Sequence, residues 1–223
     1  MSELNPTLLS FDVYGTLIDV RSGSRVPFAK ILEQSGATHI DLLEFWERWE
    51  AANIRRYREA YRPYRDICRD SLAETFNHFS LTANPGLIEH YFSAFPTFFR
   101  FPDVDEVLEK LSGRYRLAVV SNIDDDLLEA TPLGRYFDLI CTAERARGYK
   151  PDGALFRYLL REGGVGVTDL LHCGQSQHTD LVGAKPLGIK VAWINRRGLP
   201  LAPRVPNPDF EYRGLRPLLE LLL

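Results

Sequence analysis

The stretch Leu8-Leu9-Ser10-Phe11-Asp12-Val13-Tyr14-Gly15-Thr16-Leu17-Ile18-Asp19 decides how this chain is read. A short apolar run ends in a carboxylate, and Gly15 and Thr16 then turn the chain sharply. A carboxylate at the end of a buried strand costs desolvation energy unless it is paired or used. Open α/β sheets place their ligands just beyond such strand ends. Asp12 is therefore the first candidate for chemistry.

Similar runs recur in the second half of the chain. Arg116–Val120 leads into Ser121, Phe137–Cys141 follows, Leu170–Cys173 runs into Gly174, and Lys190–Ile194 runs into Asn195. Helical patterns lie between them, near Asp103–Leu111, Asp124–Thr131, Ala154–Arg161 and Thr179–Leu187. Strands alternating with helices predict βαβ units and a mostly parallel sheet. Right-handed crossovers then bring the carboxyl ends of the strands to one edge, so Asp12, Ser121 and Gly174 are expected to converge. Residues 20–98 carry helical patterns and no convincing strand. Trp46, Trp49, Asn53, Tyr57 and Tyr61 recur at helical spacing until Pro63, and further helical stretches run over 64–79 and from Pro85 toward Phe95. The expected division is an α/β core of residues 1–19 and 99–223 with an inserted helical cap, 20–98, that excludes water from the sheet edge. Gly198–Pro208, rich in Pro and Arg, reads as irregular surface.

A length of 223 residues suits one good core plus an inserted subdomain. The net charge of −3 gives no general attraction to nucleic acid or to an anionic membrane. No stretch has the length of a membrane span, and the N-terminus lacks a secretory pattern, so a cytoplasmic enzyme is expected. Cys68, Cys141 and Cys173 are an odd number without metal-ligand spacing; Cys141 and Cys173 sit in apolar runs and read as core.

Four ordered pieces carry a family resemblance over nearly the whole length. They are Asp12 with Tyr14, Gly15 and Thr16; Ser121-Asn122; Lys150 in Tyr149-Lys150-Pro151-Asp152; and Gly174-Gln175-Ser176-Gln177-His178-Thr179-Asp180, followed by Gly183-Ala184-Lys185. Together they resemble the motifs of the haloacid dehalogenase superfamily, which implies a Rossmann-like core and places a helical cap between the first and second motifs. Within it the chain is most similar to the 2-haloacid dehalogenases, in Tyr14 where phosphatases carry a second Asp, in Tyr149–Asp152, and in Trp193-Ile194-Asn195-Arg196. Taken singly, Asp12, Ser121 or Asp180 could simply cap a helix; the four motifs in order argue against that.

The resemblance implies that Asp12 is the nucleophile, Lys150 its counter-charge, and Asp180, with Ser176 beside it, the group that orients or deprotonates a hydrolytic water. It implies substrate contacts from Tyr14, Thr16, Ser121 and Asn122, with Ser121 on the substrate carboxylate and Asn122 on the halide. A cap arginine following a Trp also belongs to the family pattern. Here Trp46 is followed by Glu47 and then Arg48, so Arg48 is the candidate with a slip of one place. Tyr14 reads equally well as a packing residue. Arg55, Arg58, Arg62, Arg65 and Arg69, interspersed with Glu59, Asp66 and Asp70, read as a salt-bridged surface, and His178 as a structural or exposed histidine. A phosphatase of the superfamily holds Mg²⁺ on acids of its fourth motif, and Gln175 and Thr179 depart from that set. The expected function is hydrolytic dehalogenation of a short 2-haloacid without metal or other cofactor. The alternatives are a Mg²⁺-dependent small-molecule phosphatase and a non-catalytic binding protein of the same fold. The expected partner is the small haloacid alone, with a homodimer left open.

Overall fold

The computed structural model describes residues 5–223. Residues 1–4 of the expected core segment lie outside the described residues. Six strands form one parallel sheet: β1 (Leu8–Phe11), β2 (Arg116–Ser121), β3 (Leu139–Thr142), β4 (Leu170–Gly174), β5 (Lys190–Ile194) and β6 (Phe210–Tyr212). Their order is β3-β2-β1-β4-β5-β6, and every neighbouring pair is parallel. β1 lies centrally, with Phe11 in register with Val119 on one side and Cys173 on the other. Asp12, Ser121 and Gly174 therefore come together at one edge.

The alternation of side chains along each strand builds two cores, one on each face of the sheet. Leu9, Phe11, Val119, Cys173 and Ile194 point to one face. Leu8, Val120, Cys141, Val191 and Trp193 point to the other. Seven helices exceed a single turn: α1 (Arg25–Gln34), α2 (Leu42–Arg56), α3 (Tyr64–His78), α4 (Val104–Ser112), α5 (Asp125–Ala130), α6 (Ala154–Gly163) and α7 (Pro217–Leu222). α4 and α7 cover the first face through Val104, Val107, Leu108 and Leu218, while α6 covers the second through Leu155, Phe156 and Leu159.

Helices α1–α3 and short turns after Asn84 make up the helical cap. Its interior is aromatic: Phe28 packs against Phe45, Trp49 and Tyr91 with ring centroids 4.9–6.3 Å apart. The third cap stretch is not one helix. It runs as short turns over Pro85–Ile88, Glu89–Phe92 and Phe95–Thr97, Pro85 opening the first and Pro96, which has no N–H to continue the helix, lying in the last. The pattern over Thr179–Leu187 also resolves differently, into a π turn at Gln177–Leu181 followed by two short turns that end around Pro186. β6 and α7 have no counterpart in the sequence reading. Among the described residues no helix is long and apolar enough to cross a membrane.

Two polar devices fix the geometry of the site edge. Asp124, in the loop after β2, accepts hydrogen bonds from the backbone N–H groups of Tyr64 (2.8 Å) and Arg65 (3.0 Å). The residue before α3 is Pro63, which has no side chain to cap the helix, so the core caps this cap helix from outside. Arg196, just past β5, donates to both carboxylate oxygens of Asp103 (2.9 and 3.2 Å) and through Nε to the Thr16 carbonyl (2.9 Å). Asp103 also accepts from the Leu215 N–H at 2.6 Å. One arginine thus ties the turn after β1 to α4 and to the C-terminal segment.

Asp103 is held below the ordinary carboxylate range because the Arg196 and Leu215 hydrogen bonds outweigh its desolvation. A depressed folded-state value gives stability that is complete above the unfolded value and is lost as pH falls through the folded one. Asp103→Asn should therefore cost about 2–3 kcal/mol at neutral pH. The difference from the wild type, measured by urea unfolding, should shrink below about pH 4.

Candidate active site

β1 delivers Asp12 to the sheet edge, where its N–H bonds the Cys173 carbonyl at 2.9 Å. The chain then turns through Gly15, whose φ of +94° suits glycine. The turn folds Thr16 back so that its hydroxyl donates to Asp12 Oδ2 at 2.7 Å. Lys150, in the turn Lys150–Asp152, donates from Nζ to Asp12 Oδ1 and to Asp180 Oδ1, the latter at 2.8 Å. Its backbone N–H is held by Asn122 Oδ1 at 2.9 Å. All three charged side chains are buried: Asp12 is 6%, Lys150 2% and Asp180 0% exposed.

Electrostatics follow from this packing. Burial pushes the Asp12 carboxyl up, Lys150 opposes it, and the charge of Asp180 adds to the rise. Burial would lower Lys150, but the two carboxylates outweigh it and hold the ammonium above its ordinary value. Asp180 is also desolvated, yet Lys150 and His172 bring it below the carboxylate range.

Asp180 sits where the π turn carries it back over β4. Gly174 permits this approach, because a side-chain carbon there would collide with the Asp180 carboxylate. Asp180 Oδ2 accepts the Ser176 N–H at 2.9 Å, and Oδ1 accepts from His172 Nε2 at 3.1 Å as well as from Lys150. His172 Nδ1 lies 2.8 Å from Ser10 Oγ. An ionised carboxylate only accepts, so Nε2 carries a proton. With a neutral ring, Ser10 then donates to Nδ1. Sequence reasoning missed this pair. Its signal is a polar residue in each of two apolar runs, at positions that the sheet pairs directly, Ser10 with His172.

A cavity of about 280 Å³ opens over Asp12 and Lys150 and is roofed by α2. Tyr14, Ser121, Asn122 and Ser176 also line it. Ser121 Oγ and Asn122 Nδ2 are buried without a hydrogen-bond partner among the described residues, so both are available to a bound molecule. Tyr14 packs edge-on against Phe95 (5.5 Å), and its hydroxyl is 2.8 Å from Thr131 Oγ1. Thr16 and Asp180 lie behind this surface and do not line the cavity. Thr16 thus touches the carboxylate of Asp12 rather than a substrate.

The cap contributes Trp46, Trp49, Glu50, Asn53 and Tyr57 from one face of α2. Tyr61 does not line the cavity; it packs beside Tyr149 at 5.8 Å and under Arg147 at 4.4 Å. Arg48 is corrected in the same way. It lies on another side of α2 from Trp46, Glu50 and Asn53 and does not line the cavity, and the arginine in the cavity wall is Arg197 of the core. Arg55, Arg62, Arg65 and Arg69 form ion pairs, Arg62 with Asp70 and Arg69 with Glu89 among them.

The family pattern described as "Haloacid dehalogenase-like hydrolase" matches residues 9–194. The chain belongs to the haloacid dehalogenase-like hydrolase family. An (S)-2-haloacid dehalogenase 4A of Burkholderia cepacia is 29% identical over 92% of this chain and 87% of that protein. The human N-acylneuraminate-9-phosphatase is 25% identical over 95% of the chain and 92% of its own length. A crystal structure of a dehalogenase superposes with a TM-score of 0.82 at 25% identity, covering 100% of this chain and 98% of that one. Both chemistries of the family are thus represented among its relatives, and the site has to separate them.

In a phosphatase of this family a Mg²⁺ ion would sit between the first-motif carboxylate and acids of the fourth motif. Here an ammonium joins Asp12 to Asp180, and the neighbouring fourth-motif side chains are the amides and hydroxyl of Gln175, Ser176 and Gln177. Among the described residues no group of three His, Cys, Asp or Glu side chains is placed to share a metal ion. The donor set does not fit Mg²⁺, which prefers several anionic oxygens in octahedral array.

The role of His172 can be separated from simple packing. Gln keeps a donor near the position of Nε2, whereas Asn keeps one near Nδ1 only. His172→Gln should retain most of the turnover, while His172→Asn should lower kcat by about tenfold or more at similar urea stability. Equal kcat in the two variants would show that the bond to Asp180 does not matter.

Proposed function

We propose that the protein is a hydrolytic 2-haloacid dehalogenase that works through an ester on Asp12 and needs no metal. The observation that supports this most is the set of uncharged side chains, Gln175, Ser176 and Gln177, that line the cavity beside Asp12 where a metal-dependent phosphatase carries acids. Lys150 compensates the nucleophile with a fixed positive charge. Residues 20–98 act in this reading as the cap over a core formed by 1–19 and 99–223.

The proposed reaction has two halves. A carboxylate oxygen of Asp12 attacks C2 of the haloacid, and the C–X bond breaks as the halide leaves with its electron pair. Ser121 Oγ holds the substrate carboxylate, and Asn122 Nδ2 donates to the departing halide. Water then adds to the carboxyl carbon of Asp12. One proton of that water passes to the oxygen of the departing 2-hydroxy acid as the bond from that oxygen to the Asp12 carboxyl carbon breaks, while Asp180, held ionised behind Lys150, keeps the ammonium in place. The remaining proton leaves Asp12 as its carboxylate reforms beside Lys150. Ser176 serves to hold the Asp180 loop, through its N–H on the carboxylate and its hydroxyl on the Thr179 N–H (3.2 Å).

The competing reading is a phosphatase, and one assay divides them. Halide release from 2-chloropropionate should survive exhaustive chelation, with negligible release of phosphate from phosphomonoesters. Robust Mg²⁺-stimulated phosphate release would reverse the assignment. The ester itself is tested in heavy-oxygen water with enzyme in excess. In a single turnover the solvent oxygen should appear in the peptide containing Asp12 and not in the first product. Label in that product would make Asp12 a general base instead.

Lys150→Met removes the ammonium and keeps much of its stem. Turnover should fall by about three powers of ten, because two buried carboxylates then face each other uncompensated. The acid limb of kcat/KM should move to higher pH, since Lys150 is the main force keeping Asp12 ionised. A folded variant with near-normal rate would mean that another cation supports the nucleophile.

A further inference from the structure

The cavity needs a positive charge that Lys150 does not supply. Asp12, Lys150 and Asp180 carry one net negative charge, so an entering organic anion is repelled by the cluster it must approach. Ser121 and Asn122 offer only neutral donors. Arg197, in the loop after β5, reaches the cavity wall opposite α2 with its side chain 35% exposed. Its guanidinium is 3.6 Å from Glu47 of α2, but Glu47 is bound more closely by Arg21, at 2.9 Å. One carboxylate is thus shared between two arginines, and positive charge remains at the wall. Glu50, one turn along α2, also lines the cavity and makes no ion pair among the described residues.

We propose that Arg197 is the group that attracts and holds the negative charge of the substrate, and that Glu50 competes with the substrate for it. This rests on the reading of the substrate as a small organic acid, and it moves the anion-binding charge from the cap to the core loop. Burial pushes the Glu50 carboxyl up to about 7, with Glu47 adding and Arg197 and Arg21 opposing. Tyr57 on the same helix and Tyr91 from the turn Glu89–Phe92 also face it, and both are kept neutral by burial. Below pH 7 Glu50 is mostly protonated, and Arg197 faces only the Glu47 carboxylate that it shares with Arg21. Above pH 7 Glu50 ionises and competes, so the apparent affinity for an anion should weaken.

The test compares KM and kcat for 2-chloropropionate, and the Kd of L-lactate by calorimetry, at pH 6 and pH 8. Arg197→Gln should raise KM and Kd by about tenfold with kcat changed less than about threefold, and Arg197→Lys should recover part of the loss. Glu50→Gln should tighten both constants at pH 8 by about threefold and change them little at pH 6. Glu47→Gln breaks the same ion pair while leaving the guanidinium, and should move KM by less than about threefold. Unchanged constants in Arg197→Gln, or an equal loss in Glu47→Gln, would show that Arg197 is a strap between core and cap. If Arg197→Gln does not fold, the absence of a pH-dependent gain in Glu50→Gln overturns the proposal. If the wild type releases no halide but lactate binding still depends on Arg197, the dehalogenase reading falls and the anion site stands.

Discussion

Everything at this sheet edge is arranged around one ammonium that serves two buried carboxylates. Lys150 is 2% exposed, and removing such a charge from water costs several kcal/mol unless it is paired with good geometry. The pairing requires Asp12 at the end of β1, Asp180 folded back by the π turn, and Lys150 on a turn held by Asn122. None of these can shift independently. A parallel sheet with β1 between β2 and β4 is the scaffold that brings the elements within reach. His172 and Ser10 extend the network under the sheet edge, so the last polar link is made where no water reaches. The negative charge left over gives Asp12 its reactivity and makes anion entry an electrostatic problem.

The second constraint concerns how a separate layer of helices can stay registered over that cluster. The junction uses polar contacts at a few points. Asp124 caps α3, the Tyr149 hydroxyl donates to the Arg62 carbonyl at 2.8 Å, and Tyr57 stacks on Tyr149 with centroids 4.8 Å apart. Asp124 and Tyr149 each lie within a few residues of a first-order site residue, Asn122 and Lys150. A change in the cap is thus transmitted to the site through short covalent paths. Two of the aromatic rings on α2 fill the roof, and their burial excludes the solvent that would otherwise screen the charges below.

The parts of the fold that were legible in the sequence are those where one force dominates. β1, β2, β4 and β5 are covered on both faces, so they read as mainly apolar runs, with Ser10 and His172 the polar exceptions inside β1 and β4. β6 is an edge strand of three half-exposed or exposed residues, Phe210-Glu211-Tyr212, and gives no such signal. α2 and α3 were visible through their spacing, and so was the helical character of the third cap stretch, but not its division into short turns. The chemical residues were legible as end-of-strand polar groups. What was not legible is long-range placement: the motif slip pointed to Arg48, which the spacing of Trp46, Trp49 and Asn53 puts on another side of α2, and Arg197 follows β5 in a stretch with no period at all. Gln177 helps hold that segment in place, accepting from the Ala202 N–H at 2.6 Å and donating to the Pro200 carbonyl at 3.0 Å. A long-range contact of that kind has no local signature.

Tyr14 bears on which bond the site is built to break. Thr131 has a single hydroxyl proton, and it is donated to the Leu127 carbonyl at 2.8 Å. The contact between Tyr14 and Thr131 must then be donated by Tyr14, whose proton is committed within the protein. Burial also pushes the Tyr14 phenol far above its ordinary value, with the Asp12 charge adding to the rise. A group in that state does not protonate a leaving alkoxide, which is the service that the second Asp of a phosphatase supplies. A halide leaves as the anion of a strong acid and needs no proton. The absence of an available acid at position 14 and the uncharged Gln175 and Gln177 beside Asp12 are independent features, and both favour the halide over the phosphate ester.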